Sequence, residues 1–372
     1  MTSWALVIIG ATLFVAYANG ANDNFKGVAT LFGSGITDYR AALCWATATT
    51  VAGSLAAFFL ANRLIHVFQG NGLVPAAMLQ SPPFLAAVIF GAAVTVFAAT
   101  QVGMPISTTH GLTGAWMGGA IAAGGINFLP LLQSFFLPLL VSPLIAVVLS
   151  FVTYSIVRAG LRRVGVNKET CVCIGNEMLP ATVAGQGMAL AARSSSLRVI
   201  VDQEAHCVNR FTGSVWGVST QSLMDSGHFL SAGAVSFARG LNDTPKIVAI
   251  GLTATALEIT WAVGFVAFMM ALGGLVSARK VAETVSKRIT AMEPEQGFSA
   301  NLVTGFLVIV ASGWGLPVST THVSCGALFG IGVANGQARS KVIQTIVMAW
   351  LLTLPMAALS AGLIYAVLHQ WR

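Results

Sequence analysis

The chain has 372 residues, of which 56% are hydrophobic and only 8% are charged, and its mean hydropathy is +0.80. Soluble domains carry about a quarter charged residues. This chain has no Asp, Glu, Lys or Arg from Leu64 to Val157, so a soluble fold is excluded. The net charge of +7 does not indicate nucleic-acid binding, because the basic residues cluster between apolar segments, as in the cytoplasmic loops of membrane proteins. The composition predicts an all-α polytopic membrane protein.

The first half begins with an apolar stretch, residues 4–35, that is longer than a single span requires. Gly20, Asn22 and Asp23 lie in its middle, which predicts a helix broken at an unwound Gly-Ala-Asn-Asp joint. Residues 103–126 are rich in glycine and have a proline near their start, which predicts a broken or re-entrant helix that lines a cavity. The other spans predicted in this half are 41–61, 84–100 and 131–157.

The apolar pattern of the first half, 1–157, returns in the second half, 229–372. Between them lies a polar region, 158–228, with seven Lys or Arg against five acids, which we expect to be a loop domain joining the halves. About 10–12 membrane segments are predicted in all. Those of the second half are 229–252, 253–277, 298–313, 315–336 and 341–368.

Two unlike motifs occur in both halves, in the same order. Gly-Ala-Asn-Asp from Gly20 returns as Gly-Leu-Asn-Asp from Gly240. Gly-Met-Pro-Ile-Ser-Thr-Thr-His from Gly103 returns as Gly-Leu-Pro-Val-Ser-Thr-Thr-His from Gly315. The distance along the chain between the two copies is nearly the same for both motifs. This agreement indicates that the chain arose by duplication.

The charge of equivalent loops predicts how the halves are oriented. Loop 278–297 carries four Lys or Arg, whereas its counterpart 62–83 carries only Arg63. Because basic loops face the cytoplasm, the two loops are expected on opposite faces, which predicts two inverted-topology repeats. With five crossings in each half, the central region is cytoplasmic and both termini lie outside.

The two Ser-Thr-Thr runs have the chemistry of an oxyanion site. Each follows a proline, as at the start of a helix, where hydroxyl groups and free backbone N–H groups favour negative charge. The alternative is that these hydroxyls satisfy one another or the helix backbone. The predicted phosphate ligands in these runs are Ser107, Thr108, Thr109, Ser319, Thr320 and Thr321.

Asp23, Asp243 and Glu258 are the acids that the pattern places inside apolar segments. Buried carboxylates are costly in a membrane and are therefore functional candidates. An ionised carboxylate repels an anion, so coordination of a cation or carriage of a proton is the predicted role. Asn22 and Asn242 would supply neutral amide ligands. The alternative for each aspartate is capping of a half-helix or pairing with a nearby lysine.

Basic residues close to these motifs extend the candidate site. Lys26 and Lys246 follow the two aspartates by three residues and serve as substrate counter-charges or as their ion-pair partners. His110 and His322 end the Ser-Thr-Thr-His runs, and three interpretations remain open for them: carrying protons, donating to the anion, or packing.

The central region contains residue types that are found in metal sites. They are Cys171, Cys173, His206 and Cys207, but their spacing is irregular. We therefore predict no metal site, and no cofactor other than a coupling H⁺ or Na⁺.

Together these motif blocks resemble the inorganic phosphate transporter family, of which the chain is identified as a bacterial member. Residues 278–298 also resemble the family's segment before its second Ser-Thr-Thr-His run. The resemblance covers both halves but not the central region. It implies phosphate uptake driven by a sodium or proton gradient, through two inverted repeats, often in a homodimer.

Carried onto matching positions, the resemblance assigns the phosphate and coupling-ion sites to the two Asn-Asp pairs and the two Ser-Thr-Thr runs. Lys246 resembles the lysine of bacterial proton-coupled members. The chain departs from the family at residues 24–26, where Asn-Phe-Lys replaces small residues. It also departs at Thr50, where many members carry an intramembrane glutamate.

The predicted function is symport of inorganic phosphate with a cation (H⁺ or Na⁺) across the cytoplasmic (inner) membrane by alternating access. The expected partners are phosphate, the cation and the lipid bilayer, with no nucleic acid. A symporter of sulfate or another tetrahedral oxyanion is the nearest rival hypothesis. Two further hypotheses are an intramembrane hydrolase using Ser107 or Ser319 with a histidine, and a passive anion channel.

Overall fold

A computed structural model of the chain describes residues 3–164, 170–177, 197–203, 211–254, 258–288, 293–336, 338 and 340–370. The chain divides into two units. One joins Met1–Tyr154 to His228–Arg372, and the other is Ser155–Gly227. The first unit therefore contains the membrane helices of both halves.

Helices make up nearly all of the first unit. In the first half they are α1 (Ser3–Asp23), α2 (Ala29–Gly33), α3 (Tyr39–Leu60), α4 (Asn62–Phe68), α5 (Ala76–Leu79), α6 (Pro82–Gln101), α7 (Thr108–Ala122), α8 (Phe128–Leu131) and α9 (Leu137–Val164). In the second half they are α10 (Thr220–Ala254), α11 (Ile259–Ser277), α12 (Arg279–Arg288), α13 (Pro294–Trp314), α14 (Thr320–Ala334) and α15 (Ser340–His369).

Seven helical segments of the described chain are long and apolar enough to cross a membrane. They are Ser3–Gly33, Tyr39–Leu60, Pro82–Gln101, Phe128–Gly160, Ile259–Ser277, Pro294–Trp314 and Ile343–His369. A multi-pass helical membrane fold is therefore confirmed. Helices α7 and α14 have 15 residues each, fewer than the roughly 20 that a span needs. The total of 10–12 segments stays a prediction.

The two Asn-Asp joints differ in the structure. The first break comes directly after Asp23, where α1 changes into a 3-10 turn, Asn24–Val28, instead of an unwound stretch. The second joint is not a break, because α10 continues through Asn242 and Asp243. Pro245 lies inside this helix, where it removes one backbone hydrogen bond but does not end the helix.

The two short helices that begin in the Ser-Thr-Thr runs, α7 and α14, are called half-helices below. Each follows a long helix in the same way. Helices α6 and α13 are followed by Gly103 and Gly315, whose φ values of 72° and 76° lie in the left-handed region that glycine adopts without strain. The chain then runs through a proline to the N-cap serine of α7 or α14. The repeated Gly-x-Pro-x-Ser motif therefore directs both half-helices into the protein interior.

The half-helix of each half packs against the last helix of the other half. Helix α7 packs on α15, and a β-carbon at Gly118 would overlap the backbone of Ala358. Helix α14 approaches α9, and a β-carbon at Gly330 would overlap the backbone of Val147. Gly118 and Gly330 are as far apart along the chain as the two copies of the second motif. The contact that holds each half-helix therefore recurs at repeat-related positions.

The unit Ser155–Gly227 contains a three-stranded antiparallel sheet in the order β2-β1-β3. Its strands are β1 (Thr170–Glu177), β2 (Leu197–Gln203) and β3 (Phe211–Ser219). The prediction of an all-α chain is confirmed for the membrane helices but missed this sheet. Leu-Arg-Val-Ile-Val-Asp-Gln in β2 is rich in β-branched residues, which was the available signal.

Candidate functional site

The starts of the two half-helices are capped by serine. The Ser107 hydroxyl accepts a hydrogen bond from His110 N at 3.2 Å, and the Ser319 hydroxyl accepts one from His322 N at 3.2 Å. The sequence predicts both serines as phosphate ligands. In the structure their side-chain oxygens satisfy helix N–H groups that would otherwise have no partner.

Lys26 links the two halves of the repeat. Its ammonium group forms a close ion pair with Asp23 and donates to Asn22 Oδ1 at 2.9 Å and to the Ile106 carbonyl at 2.6 Å. It also donates to Thr321 Oγ1, in the opposite half-helix, at 3.0 Å. The first lysine is thus both the partner of its own aspartate and a contact to the second Ser-Thr-Thr run.

Lys246 makes the corresponding contacts from the second half. Its ammonium group lies 3.4 Å from Asp243 Oδ1 and donates to the Val318 carbonyl at 2.7 Å. It donates to Thr109 Oγ1, in the first half-helix, at 2.7 Å. Lys246 is 1% exposed and Asp243 is 4% exposed, so this second ion pair is also buried.

Asn19 connects the two carboxylates. Its Nδ2 donates to Asp23 Oδ2 and to Asp243 Oδ2, both at 3.1 Å, and contacts Thr108 Oγ1 at 3.0 Å. The Thr108 hydroxyl donates to Asp23 Oδ2 at 2.9 Å. Because one amide group touches both acids, the two Asn-Asp joints form a single cluster.

The two joint asparagines hold the turns before the half-helices. Asn22 Nδ2 donates to the Met104 carbonyl at 3.0 Å, and its Oδ1 accepts from Ile106 N at 3.1 Å. Asn242 Nδ2 donates to the Val318 carbonyl at 3.1 Å and lies 3.4 Å from Thr320 Oγ1. The structure therefore brings all four Asn-Asp residues and the predicted Thr ligands together.

A fifth charged side chain lies beside this cluster. Arg239 is 1% exposed, and its guanidinium group donates to Asn19 Oδ1 at 3.4 Å. It also donates to Asn24 Oδ1 and to Thr50 Oγ1, both at 3.3 Å. The described cluster therefore contains three basic side chains and two acidic ones.

His110 and His322 lie against each other, with ring centroids 4.2 Å apart, and both are buried. Nδ1 of His110 and both ring nitrogens of His322 have no hydrogen-bond partner in the part of the chain that the structure describes. The pair lines an almost entirely apolar cavity of about 710 Å³, where Trp350 packs on His322 at 3.7 Å between centroids. The histidines thus lie side by side at an apolar cavity, next to the half-helix starts.

Two positions that the sequence singles out lie elsewhere. The pattern places Glu258 inside an apolar segment, but in the structure it is the exposed N-cap residue of α11, outside the buried cluster. Cys171 is buried on β1, whereas His206 and Cys207 lie outside the described residues. Within the described residues no group of three or more His, Cys, Asp or Glu could hold a metal ion.

Sequence reasoning missed Asn19 and Arg239. The signal was present, because both are polar side chains inside apolar stretches directly before the repeated Gly-x-Asn-Asp joint. They are also as far apart along the chain as Gly20 and Gly240, so they occupy the same position in the two halves.

The apolar spans and the buried ionic cluster enclosed among them define a multi-pass membrane protein with an intramembrane polar site. The sequence profile of the phosphate transporter family matches residues 19–361, and the chain belongs to this family. The resemblance noted from the motifs is confirmed. The family and the relatives below are transporters and permeases, so the chain is not an enzyme.

Relatives match the chain over nearly its whole length. The "Inorganic phosphate transporter 2-1, chloroplastic" of Arabidopsis thaliana is 26% identical over 100% of this chain and 72% of its own length. Proteins named "Putative phosphate permease" in Haemophilus influenzae and Pyrococcus horikoshii are 26% and 24% identical, each over 98% of this chain and 96% and 98% of their own lengths.

A solved structure described as "The sodium-dependent phosphate transporter" resembles this chain with a TM-score of 0.74. The alignment covers 99% of this chain and 100% of that one, at 21% identity. At this identity the likeness establishes the common fold.

Proposed function

We propose that this protein moves inorganic phosphate across the membrane by symport with a cation, using alternating access around the buried cluster. The observation that carries the proposal is the crossed pattern of the two lysines. Each is paired with the aspartate of its own half and bonded to a threonine of the other half's half-helix. A site built from both halves can open to either side as the halves rock, as in inverted-repeat transporters.

Phosphate oxygens match the donors that meet in this cluster. The hydroxyls of Thr109 and Thr321 and the two ammonium groups are donors, and the half-helix starts add partial positive charge. Phosphate competes for the donors that now join Lys26 to Thr321 and Lys246 to Thr109. Its binding therefore loosens the bonds between the halves, which couples occupancy of the site to their movement.

The coupling cation acts at the carboxylates of Asp23 and Asp243. Both already accept hydrogen bonds from an ammonium group and from Asn19, so a sodium ion must displace these donors to reach them. A proton adds to one oxygen without needing a coordination shell. Of the two cations, we favour the proton, held on one of the two carboxylates.

We further propose that the halves are inverted repeats in the cytoplasmic membrane, with both termini outside. The exchanged helix contacts at Gly118 and Gly330 support the repeat, because equivalent glycines meet the last helix of the opposite half. The four basic residues of 278–297 support the orientation.

Symport of sulfate or another tetrahedral oxyanion is the second candidate. Hydroxyl and ammonium donors do not separate these anions, but a protonated phosphate can donate to Asp23 or Asp243 whereas sulfate cannot. A passive anion channel is disfavoured, because Asp23 and Asp243 are only 4% exposed and the cluster is closed by contacts between the halves.

The test is uptake of radiolabelled phosphate by proteoliposomes, with proton and sodium gradients imposed separately and sulfate as competitor. The proposal expects uptake under the proton gradient that sulfate does not block and that Asp23→Asn abolishes. Uptake driven only by sodium would overturn the choice of cation. Sulfate uptake without phosphate uptake would overturn the substrate, and uptake without any gradient would overturn coupling.

A further inference from the structure

Arg239 carries a charge that the two ion pairs do not neutralise. Asp23 pairs with Lys26 and Asp243 pairs with Lys246, and these aspartates are the only buried carboxylates among the described residues. Arg239 forms no ion pair in the described part of the chain. With neutral imidazoles, the cluster therefore has a net charge of +1.

The contacts of the guanidinium group are those of a donor without a strong acceptor. It meets only the neutral oxygens of Asn19, Asn24 and Thr50, at 3.3–3.4 Å, and Nε has no partner among the described residues. Charge-assisted hydrogen bonds to anions are shorter and stronger than these. An unpaired buried charge is costly, so its presence beside a transport site indicates that the charge is used there.

The position of Arg239 ties this charge to the anion site. Asn19 accepts a hydrogen bond from Arg239 and in turn touches Thr108 and both carboxylates. Arg239 is also the residue that replaces Asn19 in the second half of the repeat. The same repeat position therefore contributes an amide in the first half and a cation in the second. The amide lies between the two carboxylates, and the cation is bonded to it.

We propose that Arg239 is an anion-binding residue whose charge attracts and holds phosphate in the cluster. This inference rests on the proposed function. Lys26 and Lys246 orient the anion but contribute no surplus charge, because their aspartates cancel it. With the coupling proton also bound, a doubly charged phosphate makes the loaded cluster neutral, which lowers the cost of moving it through the membrane interior.

A charge series at this position tests the proposal. The dissociation constant of phosphate is measured by radioligand binding to the purified full-length protein in detergent. Arg239→Gln weakens binding about 100-fold, the order expected for loss of a unit charge about 6 Å away at an effective dielectric constant of about 20. Arg239→Lys retains the charge and stays within about tenfold of the original protein.

Asn24→Asp distinguishes an effect of the charge of Arg239 on binding from an effect of Arg239 on the fold. It places a carboxylate against Arg239 with almost no change in volume, so it cancels the surplus charge while strengthening the anchoring of the guanidinium. The proposal expects phosphate binding to fall nearly as far as in Arg239→Gln, with an unchanged or higher melting temperature. Thr50→Val is the matched control, since it removes an Arg239 contact without changing the charge, and it leaves affinity within a few-fold.

Three outcomes overturn the inference. They are unchanged binding in Arg239→Gln, unchanged or tighter binding in Asn24→Asp, and a loss in Thr50→Val as large as in Arg239→Gln. Sulfate is measured in parallel on every variant. If the original protein binds sulfate and not phosphate, the proposed substrate fails, while the same charge series on sulfate still decides the role of Arg239.

Discussion

The two halves of the buried cluster agree in the residues that link them and differ in the residues around them. Asp23 with Lys26 and Asp243 with Lys246 make the same crossed contacts to the opposite half-helix. The position before each joint holds Asn19 in one half and Arg239 in the other. The shared residues join the two halves into one cluster, and the differing position adds the positive charge of Arg239 to it.

The capping serines and the threonines beside them show a second difference, within each half. Ser107 and Ser319 accept bonds from their own helix, whereas Thr109 and Thr321 meet the lysine of the other half. Three hydroxyl residues that look alike in sequence thus have different partners, because successive residues at a helix start point in different directions.

The largest expected effect comes from removing one charge of an ion pair. Asp23→Asn leaves Lys26 buried without its carboxylate, which costs about 3–5 kcal/mol and abolishes uptake. Asp243→Asn should do the same if the halves are equivalent. The measurements are proteoliposome uptake and thermal denaturation in detergent.

A double variant controls for stability. Asp23→Asn with Lys26→Met removes both charges, so it should recover much of the melting temperature but none of the uptake. Recovery of uptake would show that the ion pair only supports the fold.

A smaller effect is expected at Thr109 and Thr321, each of which contacts the lysine of the opposite half. Thr109→Val and Thr321→Val each remove one hydroxyl donor from the anion and one contact to a lysine, so each should raise the KM for phosphate about tenfold. Equal changes support a site shared by the halves. A change in only one variant would place phosphate within a single half.

The serine caps should affect stability more than transport. Ser107→Ala and Ser319→Ala each remove a cap worth about 1 kcal/mol, which lowers the melting temperature slightly. Uptake should persist at near the original rate. A large loss of uptake at an unchanged melting temperature would instead make these serines phosphate ligands.

The smallest effect is expected at Glu258. Glu258→Gln changes an exposed helix N-cap outside the cluster, so uptake and its dependence on the proton gradient should be little altered. If uptake no longer depended on the proton gradient, or depended on it differently, Glu258 would take part in coupling, as the sequence pattern predicts.

Most of the site was predictable because each of its motifs occurs in both halves of the sequence. Both Asn-Asp pairs, both Ser-Thr-Thr runs and both lysines were identified, and the structure brings them together. Arg239 was missed, since a residue that differs between the halves does not register as a repeat. Glu258 was misplaced, because an apolar composition does not show where one helix ends and the next begins.

The sequence alone determined that the chain is a duplicated membrane protein of the phosphate transporter family, because hydropathy and repeated motifs are local properties. Only the tertiary structure decided which lysine meets which threonine, that α10 continues through its joint, and that Asn19 joins both carboxylates to Arg239. These depend on residues far apart in the chain coming within hydrogen-bond distance, and the packing of helices from opposite halves sets those distances.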